Sequence, residues 1–386
     1  VRIRSGSFNL TSGIEITNSG VVLRGAGANL TSLTFTADTQ NLVNISNGNS
    51  GAYFYDVDYT PIRPGGTQAA TWSSGYTQGS TSIVLTGIGS NGISVGKYIF
   101  LDQLADTSVN SGYFICEAGG CSNEGGTTYG RYYGGTARMP IQAVKVTGCS
   151  PSCASGSTFT IGSGIYAPNI ASGYSPGAWW MSSMVQYSGL EDIAIIDAQT
   201  WHDSTAKNIT FATAANCWMR GVKTVRLGGY ASVQIHTSTR ITVSDSYFYG
   251  GVAGHSQNYG LDTAAASNIL VTNNIFQQVV VPILMGSVTG SVYSYNYSIN
   301  NAFDSGMSPI VGGHTIGVAY NLIEGNIGQK AGADTIHGNA VMNTVFRNYF
   351  LGTDTAQTNA KNTLYSEGYS RYWNYVGNVL GTYGYH

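Results

Sequence analysis

The chain repeats one short phrase, and that repetition limits its possible folds more than any other feature. Asn-Tyr-Phe-Leu-Gly-Thr at 348–353 has counterparts at Asn273, Asp245 and Gly377. Aligning these segments puts Gly221, Ser246, Asn274, Asn296, Asn321, Asn348 and Asn378 in one column, at steps of 25, 28, 22, 25, 27 and 30 residues. A second column, found separately about ten residues upstream, runs Phe211, Ile235, Leu261, Ile283, Ile310, Ile336 and Leu364. Both give a unit of about 25 residues, the sign of a chain built from stacked repeats.

Each unit holds short β-type runs separated by Gly, Asn or Ser, and none carries apolar residues at helical spacing. Helical repeats are thereby excluded. Strand-only repeats with in-register apolar ladders predict an all-β solenoid, a parallel β-helix, in which every coil buries its inward residues on the coils above and below. Asparagine suits a repeated corner, where it tolerates left-handed backbone and hydrogen-bonds to its equivalents along the axis. The segment Gly13–Thr36 has the same strand, Gly turn, strand pattern. The rhythm stops from about Pro64 to Met184, where the pattern is that of antiparallel hairpins. The expected organisation is early coils over 1–63, an inserted antiparallel β-subdomain over 64–184, and the main parallel β-helix over 185–386.

Composition narrows the partners. Only 9% of the residues are charged, the net charge is −2, and polarity is carried by hydroxyls and amides. There is no basic patch for nucleic acid and no polybasic segment for an anionic membrane. No apolar run is long enough to span a bilayer, so no membrane insertion is expected. The opening Val-Arg-Ile-Arg-Ser lacks the apolar core of a signal peptide, and any such segment is expected to have been removed. Two close cysteine pairs, Cys116 with Cys121 and Cys149 with Cys153, lie in Gly/Ser-rich stretches. In so weakly charged a chain they read as two local disulfides rather than zinc ligands, and Cys217 reads as a buried apolar residue. The expected location is extracellular, with an uncharged or weakly charged polymer, a polysaccharide, as partner.

If the second column points inward, strand alternation turns the following residues outward: His236, Asp262, Leu284, Val311, His337 and Tyr365. Coils stack at about 4.8 Å. His236 and Asp262 are then expected as direct neighbours, and likewise His337 and Tyr365. The functional expectation is that His236, oriented by Asp262, is a general base and that His337 with Tyr365 supplies a second acid or donor. The competing expectation is a solvated polar ladder. Trp179, Trp180, Trp201 and His202, where the insertion rejoins the coils, are candidates for stacking on sugar rings. Arg347 is a candidate for neutralising a uronate carboxylate. No metal site and no cofactor requirement are visible.

The stretches Val-Val-Leu-Arg-Gly-Ala-Gly-Ala-Asn-Leu-Thr-Ser-Leu-Thr-Phe at 21–35 and 313–353 resemble secreted right-handed parallel β-helix proteins of the pectate lyase/polygalacturonase-like superfamily. The resemblance implies a right-handed coil and a carbohydrate-directed function, and the superfamily includes lyases, hydrolases, epimerases, tailspikes and adhesins. The paired-acid and Gly-His-Gly elements of its hydrolases do not occur here as units, and no clustered acidic ligands of its calcium-dependent lyases are evident. Two function classes follow. One is a polysaccharide lyase or glycoside hydrolase working on a lateral face. The other is a structural or adhesive protein whose uncapped coils stack head to tail into a homo-oligomeric filament.

Overall fold

The computed structural model describes residues 1–37, 41–47, 68–88, 92–105, 113, 138–154, 157–199, 206–226, 229–251, 258–301, 311–354 and 362–384. These residues form a right-handed parallel β-helix with an inserted antiparallel β-subdomain. A representative coil runs Lys207–Ala212, Ala214–Ala215, Trp218–Arg220 and Lys223–Val225, after which the next coil begins at Ala231–His236. Stacking generates three long parallel sheets. Sheet A has nine strands from Val22–Arg24 to Asn374–Val376, and sheet B has ten from Gly6–Leu10 to Val379–Leu380. Sheet C has nine, from Ile14–Ile16 to Leu364–Ser366, and includes the longer strands.

Leu261, Ile283, Val311, Ala331 and Leu364 form one inward column of sheet C. Phe211 and Ile235 are also inward and fully buried, but they occupy the column two residues further along, where Ile235 pairs with Thr263. The expected column had therefore slipped between its second and third members, Ile235 and Leu261, because Val233 and Ile235 are both inward and aliphatic. Ile310 lies outside the described residues, as does the side chain of Ile336. In sheet B, Phe248 and Phe276 stack at a centroid distance of 4.4 Å, so like meets like on successive coils.

Both corners flanking sheet A use a left-handed residue followed by a stacked buried one. Between sheets A and B the left-handed positions are Asp192, Gly221, Asp245, Asn273, Tyr295, Gly325, Arg347 and Gly377. The ladder residues come next: Ser246, Asn274, Asn296, Asn326, Asn348 and Asn378. Asn326 Oδ1 accepts from the Asn296 backbone N–H at 2.9 Å and from its amide at 3.0 Å. Asn326 Nδ2 donates to the Tyr293 carbonyl and to Asn348 Oδ1, each at 2.9 Å. The sequence alignment had placed Asn321 in this column. It belongs instead to the other corner, where Ser291, Asn321 and Asn343 form a second ladder. A buried amide whose donors and acceptor are all engaged stabilises each coil junction without exposing the backbone.

The insertion closes into an antiparallel barrel of six strands between Gln68–Ser74 and Gly177–Trp180. Trp72, Phe159 and Trp180 fill its own core. Phe100 and Trp179, stacked at 4.5 Å, pack with Ile316 and Val341 and seat the barrel on the β-helix. Cys149 and Cys153 form a disulfide within it, while Cys116 and Cys121 lie outside the described residues. Cys217 is a buried free thiol.

Candidate functional site on sheet C

Strand pairing defines two outward rows on sheet C. One runs Thr210, Gln234, Asp262, Leu284, Gly312, Gly332 and Tyr365. The other, two residues along, contains Ala212, His236 and Ala264, and continues through Gly286 to His314, Asp334 and Glu367.

This register corrects several expectations. Asp262 sits opposite Gln234, and His236 sits opposite Ala264, so the two are diagonal rather than adjacent. His236 is fully buried and its pKa is pushed down to about 3, first by burial and then by the charge of Lys207. A ring held neutral this firmly is a poor general base. Val311 turns into the core rather than out. Tyr365 pairs with Gly332, not with His337. The backbone of His337 pairs with Thr315 after a register shift, and its side chain lies outside the described residues. Trp179 and Trp180 are fully buried, one beneath the barrel and one inside it, and present no face to a sugar. Trp201 and His202 lie outside the described residues. Arg347 is exposed at the corner between sheets A and B, 4.6 Å from the Phe346 ring and away from sheet C.

The groups that do meet are Asp262, His314, Asp334, Lys330, Tyr365 and Glu367. His314 Nδ1 lies 2.6 Å from Asp334 Oδ2. Burial alone would lower the His314 pKa, but the charge and hydrogen bond of Asp334, with Asp262 and Glu367, raise it above the ordinary value. With Nδ1 committed to a carboxylate, proton exchange at this ring falls to Nε2. Asp262 Oδ2 accepts from Tyr230 Oη and Gln234 Nε2, both at 3.1 Å. Burial raises the Asp262 pKa to about 6, against those bonds and the attraction of His314 and Lys207.

The Asp262 carboxylate lies near Gly286 and close enough to His314 for their charges to interact. A Cβ placed on Gly286, the position stacked beneath His314, would lie 3.7 Å from Asp262 Oδ1 and 2.3 Å from the Thr263 carbonyl oxygen. Only glycine fits there, and its absence of a side chain opens the gap between acid and imidazole. On the far side Lys330 is 2% exposed, with Nζ 5.2 Å from the Tyr365 ring centroid. Burial pushes its pKa down to about 8, partly offset by Glu367. Tyr365 in turn lies over Gly332, where an added Cβ would come within 2.4 Å of the ring. Burial, with the negative charges of Asp334 and Glu367, raises the Tyr365 phenol pKa.

Perturbed acids, an imidazole and an amine converging on one face are the physical mark of proton-transfer chemistry. His314 and Asp334 both lie in the 313–353 stretch, but the sequence alignment did not pair them. Aligning Val311 with Ala331, rather than Ile310 with Ile336, would have brought them together.

Comparison with known structures places the architecture. The tailspike protein gp49 of Pseudomonas phage LKA1 superposes with a TM-score of 0.55 over 91% of this chain at 12% sequence identity. The chain shares the fold of a phage tailspike. It spans about half of that β-helix protein, 55% of its length. A pectate lyase from Bacillus sp. N165, solved in complex with trigalacturonate, matches over 53% of this chain and 71% of its own at 18% identity, with a TM-score of 0.31. No family model matches the sequence, and no curated protein does. Among the described residues no helix is long and apolar enough to cross a membrane.

Proposed function

We propose that this chain is an extracellular carbohydrate-active protein that binds a polysaccharide along sheet C and cleaves it by acid–base chemistry at Asp262, His314 and Asp334. The observation that carries this reading is the His314–Asp334 contact at 2.6 Å, with the Asp262 carboxylate beside Gly286, the position stacked beneath His314. Near neutral pH, Asp262 with a pKa of about 6 exchanges a proton readily. His314, oriented by Asp334, is the partner base or acid. Such proton transfer contributes about 10² to 10⁴ in rate.

Two bond-breaking routes use the same groups. In β-elimination from a uronate, the Asp262 carboxylate takes the proton beside the carboxyl, Lys330 neutralises the substrate carboxylate, and His314, held protonated by Asp334, protonates the departing oxygen. In hydrolysis, two carboxyls on one face divide the acid and base roles. A surface whose polarity is carried by hydroxyls and amides rather than charge supports a carbohydrate ligand, on a β-helix fold shared with a phage tailspike.

The test is to incubate the protein with polygalacturonate, alginate and neutral glucans while following reducing ends and the absorbance of unsaturated uronates. Reducing ends with absorbance identify elimination, and reducing ends alone identify hydrolysis. A cleavage rate unaffected by His314→Ala would remove this site from consideration.

A further inference from the structure

Sheet A carries a second constellation that the chemistry on sheet C does not use. Its outward rows run Val22, Gly189, Trp218, Thr242 and, two residues along, Arg24, Glu191, Arg220, Ser244. Glu191 is 3% exposed, yet its carboxylate is fully engaged. Trp218 Nε1 donates to Oε1 at 2.8 Å, Arg220 donates to the same oxygen at 3.2 Å, and Arg24 bonds Oε2.

The indole is fixed from below as well. A Cβ on Gly189 would lie 2.6 Å from the Trp218 ring, so the ring lies flat on the bare backbone of the preceding coil. Pinned in this way, Trp218 pays little entropy on meeting a ligand. It lines a cleft of about 740 Å³ together with Arg220, Arg240, Thr242 and Asp245. Sealing Glu191 is one role for this tryptophan, but that role needs no cleft. It also leaves unexplained Arg240, which is exposed in the cleft and makes no ion pair among the described residues.

A flat, immobile aromatic surface bordered by forked cations, a carboxylate and a hydroxyl matches the two chemistries of a sugar ring, its apolar C–H face and its rim of hydroxyls. We propose that the Trp218 cleft on sheet A is a glycan-binding subsite that takes one pyranose ring of a saccharide, separate from the chemistry on sheet C. It rests on the reading that the ligand is a polysaccharide. A second attachment point on the same rod would raise the effective concentration of polymer at the cleaving face.

The experiment follows the tryptophan indole N–H resonances of the whole chain during titration with trigalacturonate, an alginate oligosaccharide and cellotetraose, in the His314→Ala background so that nothing is cleaved. The Trp218 signal, assigned from Trp218→Phe, should shift with at least one of these probes. Trp218→Ala should weaken binding of that probe at least about tenfold, while Trp218→Phe, which keeps the ring face, should stay within about threefold. Arg240→Gln, a surface change unlinked to Glu191, should weaken it as well. An unmoved Trp218 resonance, or equal affinity in Trp218→Ala and Arg240→Gln, overturns the subsite. Because cleavage is assayed separately in the protein with His314 intact, a failed subsite alongside retained cleavage sinks only this inference. Failure of every probe both to bind and to be cleaved sinks the polysaccharide reading itself.

Discussion

Two rows of polar side chains run along the axis of this solenoid and behave in opposite ways. At the corner between sheets A and B, Asn274, Asn296, Asn326, Asn348 and Asn378 repeat one residue, and each amide satisfies the next at about 3 Å. On the outer face of sheet C the row reads His236, Ala264, Gly286, His314, Asp334 and Glu367, and no residue type recurs on adjacent coils. A repeated polar residue in a solenoid solves the same backbone problem at every level and is structural. A polar row whose members change from coil to coil sets unlike charged groups side by side, so that burial and mutual charge perturb them, as at His314. Proton chemistry becomes available there.

That contrast can be broken by experiment. The largest expected effect is on turnover: His314→Ala should lower the cleavage rate about a thousandfold with little change in melting temperature, as read by initial rates beside a thermal melt. A large loss of stability with full activity would make His314 a second kind of ladder residue. Asn326→Ala should do the reverse. It leaves the Asn296 backbone N–H and amide without their acceptor in the core, at a cost of about 4 kcal/mol in chemical denaturation, while any folded fraction keeps its activity per molecule.

Asp262→Asn should sharpen the comparison through pH. The Asp262 carboxyl moves from an ordinary 3.8 to about 6 on folding, so the folded state binds the proton more tightly across that window. Its ionisation therefore costs stability as pH rises from about 4 through 6. Denaturation of both proteins at pH 4 and pH 8 should show the amide gaining about 2.5 kcal/mol on the wild type between the two, with turnover lost throughout. His236, whose pKa falls on folding, has the opposite slope, and comparing the two proteins cancels it. A constant difference would mean that Asp262 is not strained by burial. The smallest effect is expected at the part-exposed Asn378, where Asn378→Ala should cost about 1 kcal/mol because water replaces some of what the amide supplied.

The repeat, the strand-only units, the inserted antiparallel region and the inward direction of Ile235, Leu261 and Ile283 were all legible in the sequence. They rest on periodicity, which local pattern carries. Register was not. Val233 and Ile235 both point inward and are both aliphatic, so a slip of two residues at that strand costs nothing in the pattern yet moves every outward residue to another row. That slip paired His236 with Asp262, and a six-residue misalignment, Ile310 set on Ile336 where Val311 meets Ala331, separated His314 from Asp334. Trp179 and Trp180 were misplaced for a different reason, since composition marks tryptophan at a junction without saying which side covers it.

By itself the sequence determined the solenoid, because a chain that writes an apolar ladder and a polar corner every 25 residues or so has one economical way to bury the first and satisfy the second. It also determined the low charge, 9% of the residues with a net charge of −2. Only the tertiary structure decided which outward residues meet. His314 and Asp334 are 20 residues apart in the chain, and Glu191, Trp218 and Arg24 come from three separate coils. Their contacts depend on the lengths of the connections between strands, which vary from unit to unit and carry no periodic signal. Coil-to-coil register, set by packing in the core, is what turns those unequal intervals into neighbours about 4.8 Å apart.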